Sequence, residues 1–233
     1  MAIKYLYLIG SLYFFIISII MYLLMPKYRK PMLLLGLTIS LAGPLSEYIW
    51  MTKDWWHPET ITNTIIGIED FIFSFAHIII PMFIYKLIFK KDTNKDFKKE
   101  NINMKFFSIN LILWFLIPFS LSGILFSIFK INSIISVNIG MTIACVIMII
   151  KRKDLFIPAF LTGFILLIIA IPAYTILYIL NSDYVNQIWY MQKLSGILFL
   201  EIPIEDIIRY WIYGFMMGGA YEFLFDFKLI EKK

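Results

Sequence analysis

Two pairs of adjacent carboxylates lie inside apolar stretches of this chain. Glu205 and Asp206 follow Pro203, and a weaker copy 136 residues earlier has Glu69 and Asp70 after Gly67. An ionised carboxylate in hydrocarbon costs about 2.5–3.5 kcal/mol on insertion scales, so acids retained there indicate a functional site. Paired acids can deliver and accept protons, and the rest of the chain has to position them.

Composition places these acids in a membrane protein. The chain of 233 residues is 61% hydrophobic and 18% aromatic, which excludes the soluble globular classes. The net charge of +5 lies mostly in loops, so we expect no nucleic-acid partner. The single cysteine, Cys145, excludes a disulfide framework and a thiolate metal cluster.

Apolar runs predict an all-α integral membrane protein with seven transmembrane helices. The first run is followed by Lys27, Arg29 and Lys30 and lacks a small-residue cleavage pattern, so we interpret it as a retained helix. The predicted spans are 3–25, 31–50, 64–89, 106–129, 132–150, 155–181 and 197–225.

Basic residues alternate between the loops that join these spans. One side carries 15 Lys and Arg residues and the other only four. The positive-inside rule therefore predicts an integral cell membrane protein with its N-terminus outside and its C-terminus cytoplasmic. Five aromatic residues then fall at the outer interface as an aromatic belt: Trp50, Trp55, Trp56, Trp189 and Tyr190.

The duplicated acids predict an internal repeat. Spans 1–3 correspond to spans 5–7, and span 4 returns the chain to its starting side, which gives two parallel three-helix repeats joined by one linking helix (3+1+3). The predicted units are the first repeat at 1–98, the linking loop and helix at 99–130, and the second repeat at 131–233.

Helical spacing predicts which side chains support the second acidic pair. Glu201, Glu205 and Arg209 fall at i, i+4 and i+8, so Arg209 can pair with either glutamate. Asp206 points about 100° away, towards the stripe that contains Tyr213.

In the first repeat, Asp70 and His77 lie on one helix face about 10 Å apart along the axis. Glu47, near the predicted outer end of span 2, is a further candidate partner, and His77 aligns with Tyr213. The alternative is that the acids are helix-end residues satisfied by first-turn backbone donors and by Arg209.

The tandem pattern resembles a known family. Each half has a proline, a tryptophan in the predicted outer loop, and an acidic motif followed by aromatic residues; Pro203 to Asp206 reads PIED, whereas Gly67 replaces the proline in the first copy. This pattern, on a 3+1+3 plan of this length, resembles the lycopene cyclase domain family in its fused form.

The resemblance implies a redox-neutral cyclisation of an isoprenoid end group within an apolar slot. A proton adds to the terminal double bond, the carbocation closes a six-membered ring, and a neighbouring proton leaves. The implied catalytic residues are Glu69, Asp70, Glu205 and Asp206, supported by Glu47, His77, Glu201, Arg209 and Tyr213. We expect an apolar isoprenoid or carotenoid partner in the lipid bilayer, with no cofactor and no metal; the oligomeric state stays open.

Other classes of membrane protein were weighed against this hypothesis. A small-solute or proton-coupled carrier with a 3+1+3 plan remains the alternative, because buried acids also mark ion paths. A retinal protein needs a lysine in the middle of its last span, where this chain has only Arg209. A prenyltransferase needs aspartate-rich magnesium motifs, which the sequence lacks.

The charge asymmetry makes the topology testable by reporter fusion. A reporter fused after Lys233 should be active in the cytoplasm, and one inserted beside Asp183 should report the outside, because 15 of the loop-region basic residues lie on the C-terminal side. The opposite pattern of reporter activities would reverse the assignment of sides.

Overall fold

The computed structural model describes residues 3–95, 97 and 104–232. Within these ranges, six helices are long and apolar enough to cross a membrane. They are α1 (Ile3–Leu24), α2 (Pro26–Asp54), α3 (Ile68–Ile88), α4 (Phe107–Ser127), α5 (Ser133–Lys151) and α6 (Lys153–Leu180). The chain is thus a helical multi-pass membrane protein, as its composition predicts.

Shorter elements connect and follow these helices. They are β1 (Lys91–Thr93), α7 (Tyr184–Ile188), β2 (Leu198–Phe199), β3 (Ile202–Pro203), α8 (Ile204–Met217), α9 (Ala220–Phe225) and β4 (Leu229–Glu231). Strands β2 and β3 form a small antiparallel hairpin, and β1 pairs antiparallel with β4.

The seventh predicted span differs from the structure at its start. Residues 198–203 form the β2–β3 hairpin, with Leu200 and Glu201 in the left-handed region at φ 52° and 57°. The helix therefore begins at Ile204, after Pro203, and α8 has 14 residues. Such a helix is about 21 Å long, short of the roughly 30 Å hydrocarbon core. The seven-helix plan is not confirmed.

Two helices carry a π-helical segment within the bundle. In α2, the α-helical parts Arg29–Ile39 and Ala42–Ser46 lead into the π-helical segment Glu47–Met51. In α4, the π-helical segment Ile112–Leu116 stands just before Pro118. Proline has no N–H to continue the i→i−4 ladder, so the wider turn before it has a local cause.

Helix α3 lies at the centre of the bundle and is the most buried of the six long helices. It packs against α1, α2, α6 and α8, while α8 packs mainly against α5 and α6. Helix α4 packs against α5. The acids at the starts of α3 and α8 are thereby surrounded by helices from both halves of the chain.

Contacts between loops join residues that the charge pattern places on the same side. At the end that we name the Trp end (residues 52–67, 129–133 and 181–203), Asp54 accepts hydrogen bonds from Ser133 N–H at 3.1 and 3.2 Å. At the other end, Lys27 pairs with Asp92 at 2.6 Å, and β1 pairs with β4. The structure agrees with this partition of loops, and which end faces the cytoplasm stays a prediction.

Residues related by the 136-residue offset contact each other in the middle of the bundle. Tyr213 OH donates to the carbonyl of His77 at 3.1 Å, and Lys86 Nζ pairs with Glu222 Oε1 at 2.6 Å. Contacts between equivalent positions are what a twofold axis running between α3 and α8 would produce. The 3+1+3 repeat and its unit boundaries remain predictions, and these contacts agree with them. Residues 96 and 98–103, which include the end of the first predicted repeat and the start of the linking loop, lie outside the described ranges.

The Lys86–Glu222 ion pair is a buried charge pair that the sequence pattern did not single out. Their side chains are only 1% and 0% exposed, and Lys86 also donates to the carbonyl of Met82 at 2.8 Å. The ammonium group lies 5.0 and 5.1 Å from the ring centroids of Phe83 and Tyr221. Aromatic faces and a carboxylate together compensate a cation that has lost its water.

Removing one partner of this pair should destabilise the fold strongly. Lys86→Met leaves Glu222 buried without its cation, at a cost of about 3–5 kcal/mol, whereas Lys86→Met with Glu222→Leu should recover most of that loss. Thermal unfolding in lipid nanodiscs measures both variants. A double variant as unstable as Lys86→Met alone would contradict the charge-pair explanation.

Candidate active site

A cavity of about 100 Å³ lies between the two halves of the chain, near the Trp end. Its wall combines two carboxylates, one guanidinium group and many aromatic rings. The residues that set its chemistry are Tyr7, Phe14, Glu47, Trp55, Trp56, Phe73, Tyr174, Trp189, Asp206, Arg209 and Tyr210. An apolar cavity of about 150 Å³ binds benzene, so this cavity is smaller than one that holds a single aromatic ring.

Of the two acids in the cavity wall, Asp206 is the one with several hydrogen-bond donors. Its Oδ1 accepts from Arg209 Nε at 2.9 Å, and its Oδ2 accepts from Trp189 Nε1 at 2.7 Å and from Tyr174 OH at 3.2 Å. The residue is 1% exposed. One cationic and two neutral donors thus fix both carboxylate oxygens at the cavity wall.

Arg209 links Asp206 to aromatic rings of both halves. Its guanidinium carbon lies 4.2 Å from the ring centroid of Tyr210 and 5.0 Å from that of Trp55. The sequence spacing predicted that Arg209 pairs with Glu201 or Glu205, and this is wrong. Glu201 lies in the β2–β3 turn rather than on the helix, and Arg209 turns to Asp206, three residues before it.

Asp70, the counterpart of Asp206, is held by its own half. Tyr7 OH donates to its Oδ1 at 2.5 Å, and the N–H of Gly67 donates to its Oδ2 at 2.7 Å. Tyr7 lines the cavity, whereas Asp70 lies behind it. Asp70 is therefore placed to orient the Tyr7 hydroxyl group at the cavity wall.

The different roles of Asp70 and Asp206 follow from the residue three positions before each. Gly67 has an N–H that satisfies Asp70 as in a capping box, whereas Pro203 has none, so Asp206 is left to accept from side chains. A proline ring does not fit at Gly67, because even a Cβ there would lie 2.3 Å from Glu69 Oε2. The departure from PIED in the first copy thus has a packing cause.

Glu47 brings a second carboxylate to the cavity from the π-helical segment of α2. It is 5% exposed, and its Oε2 has no hydrogen-bond partner among the described residues. Within those residues no cation lies at salt-bridge distance from it, although Asp70 and Arg209 act on it electrostatically. A carboxyl group buried without a paired cation is costly to the fold, so Glu47 is a candidate functional group.

Glu69 and Glu205 anchor loops and do not line the cavity. Glu69 Oε1 accepts from the N–H of Ile61 at 2.7 Å, and Glu205 Oε1 accepts from the N–H of Ser195 at 2.6 Å. In both residues Oε2 is buried without a partner among the described residues. Each glutamate therefore accepts from a backbone N–H of a loop at the Trp end, although Glu69 is fully buried and Glu205 only partly so.

His77 and Tyr213 lie below the cavity and outside its wall. The His77 ring stacks 3.7 Å from Phe73 and 4.4 Å from Phe14, measured between centroids, and its Nδ1 lies 3.0 Å from the carbonyl of Phe73. Tyr213 contacts His77 through the backbone carbonyl. His77 packs against Phe14 and Phe73 of the cavity wall, and Tyr213 packs against His77.

The loops of the Trp end close the cavity. The N–H of His57 donates to the carbonyl of Ile188 at 2.7 Å, and the N–H of Tyr190 donates to that of Trp55 at 3.0 Å, which pairs the two loops as an antiparallel bridge. Trp55 and Trp189 are only 2% and 4% exposed. They cover the cavity rather than facing lipid, so their assignment to an aromatic belt is wrong.

Tyr184, outside the spanning helices, packs behind this cover. Burial, and then the charge of Asp206, raise the pKa of its phenol. The hydroxyl group therefore keeps its proton and donates to the carbonyl of Glu201 at 3.3 Å, which ties the hairpin to the loop.

Sequence reasoning missed the two tyrosines that bind the acids. Tyr7 lies on α1 and Tyr174 on α6, and neither is near its partner in the chain. The only sequence signal for them is a hydroxyl group within an otherwise apolar helix, which many packing tyrosines share. Their role depends on which helices meet.

Comparison with known proteins bears on the half that carries Asp206. Residues 132–225 match the lycopene cyclase family model. The match confirms the resemblance drawn from the sequence over this segment, which contains Tyr174, Trp189, Asp206 and Arg209. It supports carotenoid cyclase activity and a carotenoid substrate. Neither the curated proteins nor the solved structures that were compared gave a match.

Metal ligands do not come together in the part of the chain that the structure describes. No group of three or more His, Cys, Asp or Glu side chains there is arranged to hold a metal ion. That the site works without metal or cofactor stays a prediction from the sequence.

A tight contact between α2 and α3 fixes the position of Glu47 in the cavity wall. A Cβ at Gly43 would lie 1.8 Å from Ser74 Oγ and 2.8 Å from Ser74 Cβ, so the helices can approach this closely only with glycine there. Gly43 stands four residues before Glu47 on the same helical stretch.

Gly43→Ala should therefore push α2 away from α3 and cost about 1–3 kcal/mol of stability, because overpacking moves backbone. Ser74→Gly should restore much of the loss in the Gly43→Ala background, since it removes the clashing atoms. Thermal unfolding of the purified single and double variants measures both effects. A Gly43→Ala variant as stable as the wild type would contradict the close contact.

Proposed function

We propose that this chain is a membrane carotenoid cyclase that closes the end group of a lycopene-type isoprenoid by proton transfer. The observation that carries the proposal is that Asp206 and Glu47 both line one small aromatic cavity. The second half of the chain also matches the lycopene cyclase family model. Only the end group of the substrate, which is the part that reacts, would reach this small cavity.

Glu47 is proposed as the proton donor. A proton from its carboxyl group adds to the terminal carbon–carbon double bond and leaves a tertiary carbocation. The next double bond attacks this cation, which forms the ring bond and moves the positive charge to a ring carbon. No electrons are gained or lost overall, so the step needs no redox partner.

Asp206 is proposed as the base that ends the reaction. It takes a proton from a carbon next to the cation, and the electron pair of that C–H bond forms the ring double bond. Arg209, Tyr174 and Trp189 hold the carboxylate in place before the substrate arrives. Proton return from Asp206 to Glu47 then restores the starting state.

The aromatic wall serves the charged intermediate. The rings of Phe14, Trp55, Trp56 and Tyr210 line the cavity, and their negative faces can stabilise a carbocation. Aromatic rings are not bases, so they stabilise the carbocation without removing a proton from it. Water would capture the cation, and the paired loops with Trp55 and Trp189 exclude it.

Asp70, Glu69 and Glu205 are proposed to act through other groups. Asp70 orients Tyr7, and the two glutamates hold the loops that close the cavity. This assignment selects among the four acids that the sequence indicates as catalytic, and adds Glu47 from its supporting residues.

Amide substitutions separate these roles. Glu47→Gln and Asp206→Asn should each lower cyclisation about 10²–10⁴-fold, because the amide keeps the shape but cannot transfer the proton. Glu69→Gln and Glu205→Gln, which keep a hydrogen-bond acceptor for the loop N–H, should retain most of the activity. Pigment analysis of a lycopene-accumulating bacterium that expresses each variant measures the conversion.

Protein amounts in the membrane fraction provide the control for folding in that experiment. Activity lost in Glu69→Gln and Glu205→Gln but kept in Glu47→Gln and Asp206→Asn would assign proton transfer to the glutamates of the two motifs. Lycopene left unchanged by a folded wild-type protein would contradict the cyclase and favour a carrier or another isoprenoid substrate.

A further inference from the structure

An apolar groove of about 540 Å³ opens towards the lipid between α2 and α4. Among the described residues of its wall, only Thr38 is polar. Leu34, Leu41 and Leu45 on α2 and Leu116 on α4 are 46–57% exposed there, so the groove is accessible from the bilayer. The cyclase cavity is too small to hold more than the end of a long chain, and the rest of such a chain needs a place outside it.

A second, smaller space lies between the groove and the cavity. A pocket of about 90 Å³ between α2, α4 and α5 shares Phe115 and Phe119 with the groove. The same pocket shares Met51 with the cavity that holds Glu47 and Asp206. The three spaces are therefore neighbours that lie in order between the lipid and the two acids, separated by the side chains they share.

The two π-helical segments stand on either side of this route. Glu47–Met51 forms the α2 side and Ile112–Leu116 the α4 side. The rings of Trp50 and Phe119 meet across it, with centroids 4.9 Å apart. Within one π-helical segment, Glu47 faces the cavity while Trp50 faces the pocket. Such segments occur frequently at functional sites.

We propose that the groove between α2 and α4 binds the hydrocarbon tail of the membrane-dissolved isoprenoid, whose end group reaches the cavity past Phe119, Trp50 and Met51. This inference rests on the proposed function for the identity of the chain that enters. Lipid tails and isoprenoid tails are equally apolar, so close packing in the groove, rather than water exclusion, has to favour the substrate.

The test fills the groove from its lipid side. Thr38 lies in the groove and is exposed, so Thr38→Trp should block it without disturbing the core, and Leu41→Trp is a second blocking variant. Leu37→Trp is the matched control, because Leu37 is 63% exposed on the same helix but does not line the groove.

Each protein is purified from a lycopene-accumulating bacterium, and the total carotenoid bound per protein, acyclic and cyclic together, is measured. This readout does not require activity. We expect about a tenfold loss of bound carotenoid in Thr38→Trp and Leu41→Trp and none in Leu37→Trp. Cyclisation should fall with the bound carotenoid.

The outcomes for the groove and for the cyclase are distinguishable. One outcome is that the wild type shows no cyclase activity while Thr38→Trp and Leu41→Trp still lose bound carotenoid. This outcome supports the tail site and contradicts the proposed function. Cyclisation and bound carotenoid unchanged in both groove variants overturn the tail site and leave the cyclase standing. A wild type that retains no carotenoid also overturns the tail site. Groove variants that lose only copurified phospholipid overturn it too, because they identify a lipid tail as the occupant.

Discussion

The buried ion pair of Asp206 and Arg209 is the interaction on which the arrangement of the cavity depends. Asp206 collects donors from α6, from the loop after α7 and from its own helix, while Arg209 stacks against Trp55 of the first half. Removing either charge would leave the other buried and unpaired, which costs far more than the pair gains. One pair thus ties the second half, its covering loop and the loop of the first half to a single geometry.

The two acidic motifs have diverged through one backbone group. The N–H of Gly67 satisfies Asp70, and Pro203 offers no N–H to Asp206. Asp70 consequently accepts from the backbone and from Tyr7, whereas Asp206 lies in the cavity wall. Residues 132–225, which contain the second motif, match the lycopene cyclase family model.

The π-helical segment that contains Glu47 contributes side chains to two neighbouring spaces. The π-helical segment Glu47–Met51 directs Glu47 to the cavity and Trp50 to the pocket behind it. The contact of Gly43 with Ser74 presses this part of α2 against α3. An acid near the lipid-accessible route is thereby kept away from the lipid, where an ionisable group is costly.

The sequence by itself determined the membrane class, six of the long helices, the partition of the loops and the acidic motifs, because apolar runs and charge positions are local properties. It also indicated Asp206, Arg209 and Glu47 as members of a site. Only the tertiary structure decided that Arg209 pairs with Asp206, because a hairpin with two left-handed residues removes Glu201 from the helix. Tertiary contacts likewise place Trp55 and Trp189 over the cavity and let Glu69 and Glu205 bind loop N–H groups. They also bring Tyr7 and Tyr174 to the acids. These roles depend on contacts between residues distant in the chain, and periodicity along one helix carries no information about which helix lies opposite.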